Sequence, residues 1–312
     1  MKRIILDTDP GVDDALAFML AFSSPEIHVE AVTTVDGNVN QKQGHENAKR
    51  LLEFLGRTDI PVASGAERPL IRFKEHATAF HGKMGLGNAE LPASLIESDN
   101  LPAAELIIEE VKRLGKDLTL VAIGPLTNIA LSLALDPDLP KKVDKLVIMG
   151  GAFNLTPYGG GNANAVAEFN IWHDPEAAKM VFDSGIHIIC AGLDTTTHPN
   201  NRLSRTQFTQ IENMGTRRSR LIVDLIRSIV DRYNGFSLHD PMALAYIINP
   251  GLFETEKHHV EIETKGEFTE GMTIVDRRIW RQSHEDEKTE IITKVDHQKF
   301  LSLIMNRIPN ED

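Results

Sequence analysis

The sequence predicts an α/β protein with an open, mostly parallel sheet that is covered by helices on both faces. Short apolar runs alternate with helical patterns along most of the chain, and the runs end at Gly, Asp or Asn. The runs are also almost continuously apolar, which is typical of strands that are buried on both faces of a parallel sheet.

The predicted elements follow one another in a strand–turn–helix order. The first five strands are predicted at residues 3–6, 29–35, 118–123, 145–149 and 187–191. Helices are predicted from about Asp13, Lys42 and Leu126. The pattern then changes to alternating strands at 260–263, 272–275 and 290–295, with a final helix from about His297. This order is that of a Rossmann-like sheet.

Polar residues follow the predicted strands at the points where the strands end. In an open parallel sheet the ligand crevice lies beyond the carboxyl ends of the strands. We therefore expect the active site at that edge, which the following residues would reach: Asp7, Asp9, Asn38, Ile123, Gly150 and Asp194.

Composition sets bounds on the class of protein. The 312 residues are 41% hydrophobic and contain no linker, repeat or low-complexity run, so we predict a single domain over residues 1–312. The formal charge of −12 argues against a nucleic-acid partner, which would require clustered basic residues. No apolar segment at the start resembles a signal, and none is long enough to span a bilayer, so we expect no membrane partner and a cytoplasmic location.

Four carboxylates occur within eight residues at the first strand-to-helix junction, at Asp7, Asp9, Asp13 and Asp14. Helix capping accounts for one or two of them. Four like charges held together require protons or a cation. An all-oxygen site suits calcium or magnesium, and its carboxylate density favours calcium. Zinc is disfavoured because the cluster contains neither Cys nor His.

Three other polar segments have both a functional and a structural interpretation. Glu168-Phe169-Asn170 follows a loop rich in Gly and Asn, and could bind sugar hydroxyls or form a plain turn. His239-Asp240-Pro241 precedes an apolar helix that Asp240 could simply cap. His81 begins a Gly-rich segment that is either a mobile lid or a surface loop.

The ordered set of motifs resembles the inosine–uridine-preferring nucleoside hydrolase family over nearly the whole chain. The first motif is Asp7-x-Asp9-Pro10-Gly11-x-Asp13-Asp14. The others include Asp36-Gly37-Asn38, Gly124-Pro125-Leu126-Thr127-Asn128, Ala167-Glu168-Phe169-Asn170, Gly192-Leu193-Asp194 and His239-Asp240-Pro241. The resemblance implies a hydrolase that cuts the N-glycosidic bond of ribonucleosides to give ribose and free base.

The resemblance also implies roles for individual residues. Ca²⁺ would be bound by the carboxylates of Asp9, Asp14 and Asp240 and by the backbone carbonyl of Ile123. Asp9 would also deprotonate the attacking water, and His239 would lie near the departing base. Because the base must leave with its negative charge neutralised, we expect His239 to be the proton donor. The substrate-binding residues would be Asp13, Asn38, His81, Asn162, Glu168 and Asn170.

Other predictions follow from the resemblance or compete with it. The resemblance implies a homo-oligomer, either a dimer or a tetramer. A metal-dependent phosphoesterase could use the same carboxylates, but the sequence contains no phosphate-binding loop. A non-catalytic module that binds a nucleoside or sugar with its metal is the second alternative. The sequence does not distinguish a purine from a pyrimidine preference.

Overall fold

The computed structural model describes residues 1–278 and 287–310. The strands in this part of the chain are β1 (Lys2–Thr8), β2 (Ile27–Thr34), β3 (Val62–Ser64), β4 (Leu118–Ala122), β5 (Lys145–Met149), β6 (Ile188–Ala191), β7 (Arg202–Ser204), β8 (Gly235–Ser237), β9 (Phe253–His258), β10 (Val260–Ile262), β11 (Thr273–Val275) and β12 (Thr289–Val295).

Within the described residues, eight of these strands form a central sheet in the order β3-β2-β1-β4-β5-β6-β12-β9. Neighbouring strands are parallel except for β12 and β9, which pair antiparallel. The predicted α/β class, with a mostly parallel sheet, is therefore confirmed.

The helices connect these strands and cover the sheet. They are α1 (Val12–Phe22), α2 (Gln41–Phe54), α3 (Thr78–His81), α4 (Ala103–Leu114), α5 (Thr127–Leu135), α6 (Leu139–Lys142), α7 (Phe169–His173), α8 (Pro175–Asp183), α9 (Leu193–Thr196), α10 (Arg205–Met214), α11 (Arg217–Tyr233), α12 (His239–Ile248) and α13 (His297–Arg307). None of the described helices is both long and apolar enough to cross a membrane.

Two hydrophobic cores lie on opposite faces of the sheet. Along β1, Ile4 and Leu6 belong to one core and Ile5 belongs to the other, because successive side chains of a strand point to opposite faces. Helices α1, α11, α12 and α13 pack on the first face, and α4, α5 and α8 pack on the second. This double burial explains the continuous apolar runs in the sequence.

Two of the three late predicted strands lie outside the central sheet. Residues 260–262 and 273–275 form a separate antiparallel pair, β10 and β11. Only β12 joins the main sheet, where it pairs parallel to β6 and antiparallel to β9. The alternating pattern predicted strands correctly but could not identify their partners.

Candidate active site

A cavity of about 290 Å³ lies at the carboxyl ends of β1, β2, β4 and β5. Of the residues to which the sequence analysis gives a catalytic, metal or substrate role, all except Asp9 and Asp14 line it. Asp7, Gly150 and Asp194, which were expected at the same edge of the sheet, do not. The complete lining is Asp13, Asn38, Ala77, Phe80, His81, Ile123, Met149, Asn162, Glu168, Phe169, Asn170, Thr197, His239 and Asp240.

Three buried carboxylates lie close together at this cavity, which Asp13 and Asp240 line and Asp14 does not. Asp13 and Asp14 lie in the first turn of α1, and Asp240 lies in the first turn of α12. One carboxylate oxygen from each lies within 4.8 Å of the others. Burial and then the charge of Asp14 raise the pKa of Asp13 to about 8. Burial and the neighbouring carboxylates also raise the pKa of Asp240 well above its usual range. The cluster therefore requires protons or a cation to be stable.

Asp9 lies beside this group and is enclosed by two glycines. Its Oδ2 atom accepts a hydrogen bond from the backbone N–H of Asn38 at 2.8 Å. Its Oδ1 atom is buried and has no hydrogen-bond partner in the described part of the chain. A Cβ atom at Gly124 would lie 2.6 Å from Oδ1, and one at Gly37 would overlap Oδ2. These glycines allow the ends of β2 and β4 to approach the carboxylate closely.

Asp14 is held in place by three hydrogen bonds. It accepts from the hydroxyl of Thr8 at 2.5 Å, from the backbone N–H of Gly11 at 2.8 Å and from the amide of Asn38 at 3.1 Å. Thr8 is the last residue of β1, and Gly11 lies in the turn that joins β1 to α1. The compact junction thus fixes Asp14 before any ligand binds.

Asp7, the first member of the sequence cluster, does not line the cavity. Its Oδ1 accepts hydrogen bonds from Thr33 at 2.6 Å and from Asn128 at 2.7 Å. Burial raises the pKa of Asp7 to about 7. Asp7 joins β1 to β2 and α5, so this carboxylate supports the sheet edge.

Helix α7 brings Glu168 and Asn170 to one wall. Glu168 caps the helix, because its carboxylate accepts from the backbone N–H groups of Asn170 at 2.9 Å and Ile171 at 3.1 Å. Burial nevertheless raises the pKa of Glu168 to about 6. The amide nitrogen of Asn170 donates to the carbonyl oxygens of Ile123 at 3.0 Å and Met149 at 3.1 Å. Ile123 therefore lines the cavity while its carbonyl oxygen accepts a hydrogen bond from Asn170.

The loop before α7 contains two asparagines with different positions. Asn162 lines the cavity and accepts a hydrogen bond from the backbone N–H of Phe169 at 2.8 Å. Asn164 instead accepts from the N–H groups of Val166 and Ala167, and so stabilises the loop itself.

The imidazoles of His81, in α3, and His239, in α12, both line the cavity. His81 ends the short helix α3, within a segment that the sequence predicted as a loop. Its Nδ1 accepts the N–H of Val12 at 3.1 Å, so the proton of the neutral ring is on Nε2. Nδ1 of His239 lies 2.8 Å from the hydroxyl of Thr196. Burial lowers the pKa of His81 to about 3 and that of His239 to about 4.

The family model of inosine-uridine preferring nucleoside hydrolases matches residues 4–302. The chain belongs to this family. It is therefore a nucleoside hydrolase, and the resemblance seen in the motifs is confirmed.

Relatives and solved structures agree with this assignment over nearly the whole chain. The pyrimidine-specific ribonucleoside hydrolase RihA of Escherichia coli O7:K1 is 38% identical over 98% of this chain and 97% of the relative. A purine-preferring ribonucleoside hydrolase from Gardnerella vaginalis superposes with a TM-score of 0.90 at 33% identity, covering 99% of this chain and 98% of that one. An inosine-guanosine nucleoside hydrolase superposes with a TM-score of 0.88 at 31% identity, covering 99% of both chains.

Several residues that line the hydrolase site were not predicted from the sequence. Phe80 and Phe169 both line the cavity, and the ring of Phe80 meets His81 edge-on at 5.0 Å between centroids. Both aromatic residues are adjacent in sequence to predicted site residues, and this adjacency could have indicated that they line the cavity. Thr196, the partner of His239, carried no comparable signal, because its role depends on how α9 packs beside α12.

Proposed function

We propose that this hydrolase uses Ca²⁺ to cleave the N-glycosidic bond of purine or pyrimidine ribonucleosides, giving ribose and the free base. The observation that carries the proposal is the group of buried carboxylates, Asp13, Asp14 and Asp240, with Asp9 beside it. Calcium dependence and the roles of individual residues are proposals that build on the family assignment.

The donor set fits a hard divalent cation. The proposed ligands are the carboxylates of Asp9, Asp14 and Asp240 and the carbonyl of Ile123, all of them oxygen donors. Among the described residues, the third carboxylate that lies within 4.8 Å of Asp14 and Asp240 is that of Asp13, so Asp9 would join the site from beside this group. The side chain of Asp9 has a buried oxygen without a hydrogen-bond partner among the described residues, and so does that of Asp13. Such buried, unpaired acceptors are costly unless a proton, a cation or a substrate hydroxyl satisfies them.

Asp9 is proposed as the general base. When bound, Ca²⁺ would hold the ribose diol and make a bound water more acidic. Asp9 would orient this water and take its proton, because its Oδ1 accepts no hydrogen bond from the described residues. The hydrogen bond from Asn38 fixes the other carboxylate oxygen and hence the direction in which the base faces.

The cavity walls would bind the ribose and stabilise the transition state. Cleavage passes through an oxocarbenium-like state, whose positive charge buried carboxylates stabilise. We propose that Asp13, Asn38, Asn162, Glu168 and Asn170 bind the sugar hydroxyls. Because the amide nitrogen of Asn170 already donates to two backbone carbonyls, its Oδ1 is the atom that would accept from a hydroxyl.

Departure of the base requires a proton unless the base anion is already stable. His239 is proposed as the donor, since it lines the cavity next to Asp240 in α12. Because burial lowers its pKa to about 4 in the free protein, this role requires that nucleoside binding raise the pKa so that the imidazole carries the proton. His81 would contact the base from the other side through its Nε2–H. The cytoplasmic location and the homodimer or homotetramer remain predictions.

Release of free ribose from inosine and uridine, measured with and without Ca²⁺, tests the proposal directly. After exhaustive chelation, turnover should vanish, and added Ca²⁺ should restore it. p-Nitrophenyl phosphate serves as the control for phosphoesterase activity and should not be hydrolysed. Full activity in protein shown to contain no metal would overturn the calcium proposal, and binding of nucleoside without ribose release would favour a non-catalytic role.

A further inference from the structure

A second buried cluster, formed by Asp36, His76 and His173, lies outside the carboxylate group. The Oδ1 of Asp36 is 3.0 Å from Nε2 of His76, and its Oδ2 is 3.0 Å from Nε2 of His173. Asp36 and His173 are buried, while the side chain of His76 is 33% exposed. None of these three residues has a role in the proposed mechanism.

The cluster is a hydrogen-bond bridge. The two imidazoles bind different oxygens of Asp36, with their ring centroids 6.3 Å apart. Among the described residues, the group whose donor atoms are close enough to share one ion is Asp13, Asp14 and Asp240. Since a carboxylate accepts hydrogen bonds, each histidine donates through Nε2–H.

The bridge joins three chain segments that form the cavity. Asp36 follows β2 and precedes the Gly37-Asn38 pair that contacts Asp9. His76 directly precedes Ala77, which lines the cavity. His173 is the last residue of α7, the helix capped by Glu168.

The His76 arm leads directly into α3. The carbonyl of Ala77 accepts the backbone N–H groups of Phe80 at 2.9 Å and His81 at 3.0 Å, so the single turn of α3 is built on the residue next to His76. Both Phe80 and His81 line the cavity. A shift of His76 would therefore move these two side chains.

The His173 arm supports the opposite wall. The ring of His173 packs against the ring of Phe169 with 5.4 Å between centroids. Phe169 lines the cavity between Glu168 and Asn170, the proposed ribose ligands.

We propose that the Asp36 bridge positions the base-binding wall, α3, relative to the ribose-binding wall, α7, and that His76 is its positioning residue on the base side. The inference rests on the proposed function for the assignment of the two walls. Neither His76 nor His173 would touch the reacting atoms.

The contribution of His76 should be local. Earlier in the same segment, Arg72 and Lys74 form ion pairs with Glu270. Lys74 also lies 4.5 Å above the ring of Trp172. These contacts would keep the segment folded when the bridge is broken, so that only the part leading into α3 becomes free to move.

The test compares His76→Leu, which removes the donor, with His76→Gln, whose amide nitrogen replaces Nε2. A lost hydrogen bond to a charged group is expected to raise KM for uridine and inosine about tenfold. The inhibition constant of free ribose should stay within about twofold, because ribose does not require the base wall, and kcat should change by less than about threefold. His76→Gln should restore KM to within about threefold of the wild type.

Controls separate positioning from a folding defect. His28→Leu removes another partly exposed histidine near a carboxylate, Glu30, at the opposite end of β2, and should leave KM and ribose inhibition unchanged. His173→Leu should weaken both nucleoside and ribose binding. If His76→Leu does not fold, His76→Asn replaces it, because that amide is too short to reach Asp36.

Three results would overturn the inference. They are equal losses for ribose and nucleoside in the His76 variant, no difference between the Gln variant and the Leu or Asn variant, and an unchanged KM in all of them. Failure of the proposed function is distinguishable, because it would appear as absent ribose release in the wild-type enzyme.

Discussion

Replacing Asp9 by Asn removes a proton acceptor from the proposed site while changing its shape very little. The amide oxygen can keep the 2.8 Å hydrogen bond from Asn38, and the amide nitrogen then takes the place of Oδ1. The space allows little else, since Gly37 and Gly124 approach the carboxylate so closely that even a Cβ atom on either would collide with it. Replacement by Asn therefore tests the loss of the proton acceptor without disturbing the packing around residue 9.

The expected size of the effect follows from what Asp9 loses. Loss of a general base costs about 10²–10⁴ in rate, or about 3–5 kcal/mol of transition-state stabilisation. Asp9 also helps to raise the pKa of Asp240 through its charge. Removing that repulsion should stabilise the metal-free protein slightly. We therefore expect kcat to fall by at least about a hundredfold without loss of thermal stability.

Steady-state ribose release at saturating Ca²⁺ provides kcat and KM. Asp7→Asn is the matched control, because Asp7 is equally buried in the same β1–α1 junction but binds Thr33 and Asn128 away from the cavity. That variant should keep kcat within about threefold. The base assignment would be refuted by an Asp9→Asn enzyme within a few-fold of wild type, or by one whose kcat recovers fully at higher Ca²⁺, which would make Asp9 a ligand only.

Three further outcomes are expected. His239→Ala should greatly slow hydrolysis of inosine and uridine but affect p-nitrophenyl riboside much less, because nitrophenolate leaves unprotonated; equal losses on both would assign His239 to packing. Burial raises the pKa of Asp7 to about 7 and that of Asp13 to about 8. The folded, metal-free protein thus retains protons that the unfolded chain, whose aspartate pKa is near 3.8, has already released. Its melting temperature should therefore fall as the pH rises from about 4 to about 8, and Ca²⁺ should reduce this fall. A flat or rising profile of the metal-free protein over that range would contradict the raised pKa values. Light scattering should report a dimer or a tetramer, and a monomer at working concentration would discard that prediction.

The sequence allowed the sheet and the floor of the site to be predicted, because both depend on local patterns. The predicted helix from about Asp13 is α1, which begins at Val12, and the final helix begins at His297 as expected. Continuous apolar runs indicated strands buried on both faces. The density of aspartates indicated that their negative charges repel one another and require protons or a cation.

The features of the site that could not be predicted depend on contacts between distant parts of the chain. Asp7 has the same local pattern as Asp9, yet Thr33 and Asn128 bind its side chain away from the cavity. The tautomer of His81 is set by a backbone N–H of α1, at Val12. The pairing of Asp36 with two histidines joins residues that are far apart in sequence. No local pattern encodes such partners.

The position of β12 has a consequence for how the protein is made. This strand, Thr289–Val295, lies between β6 and β9 although it comes after both in the chain. Until it emerges from the ribosome, the nascent chain carries two strands with unpaired backbone groups facing an open gap. Unpaired strand edges promote aggregation, so this interval is the vulnerable stage of synthesis. The central sheet can close only after β12 has been synthesised and has inserted between β6 and β9.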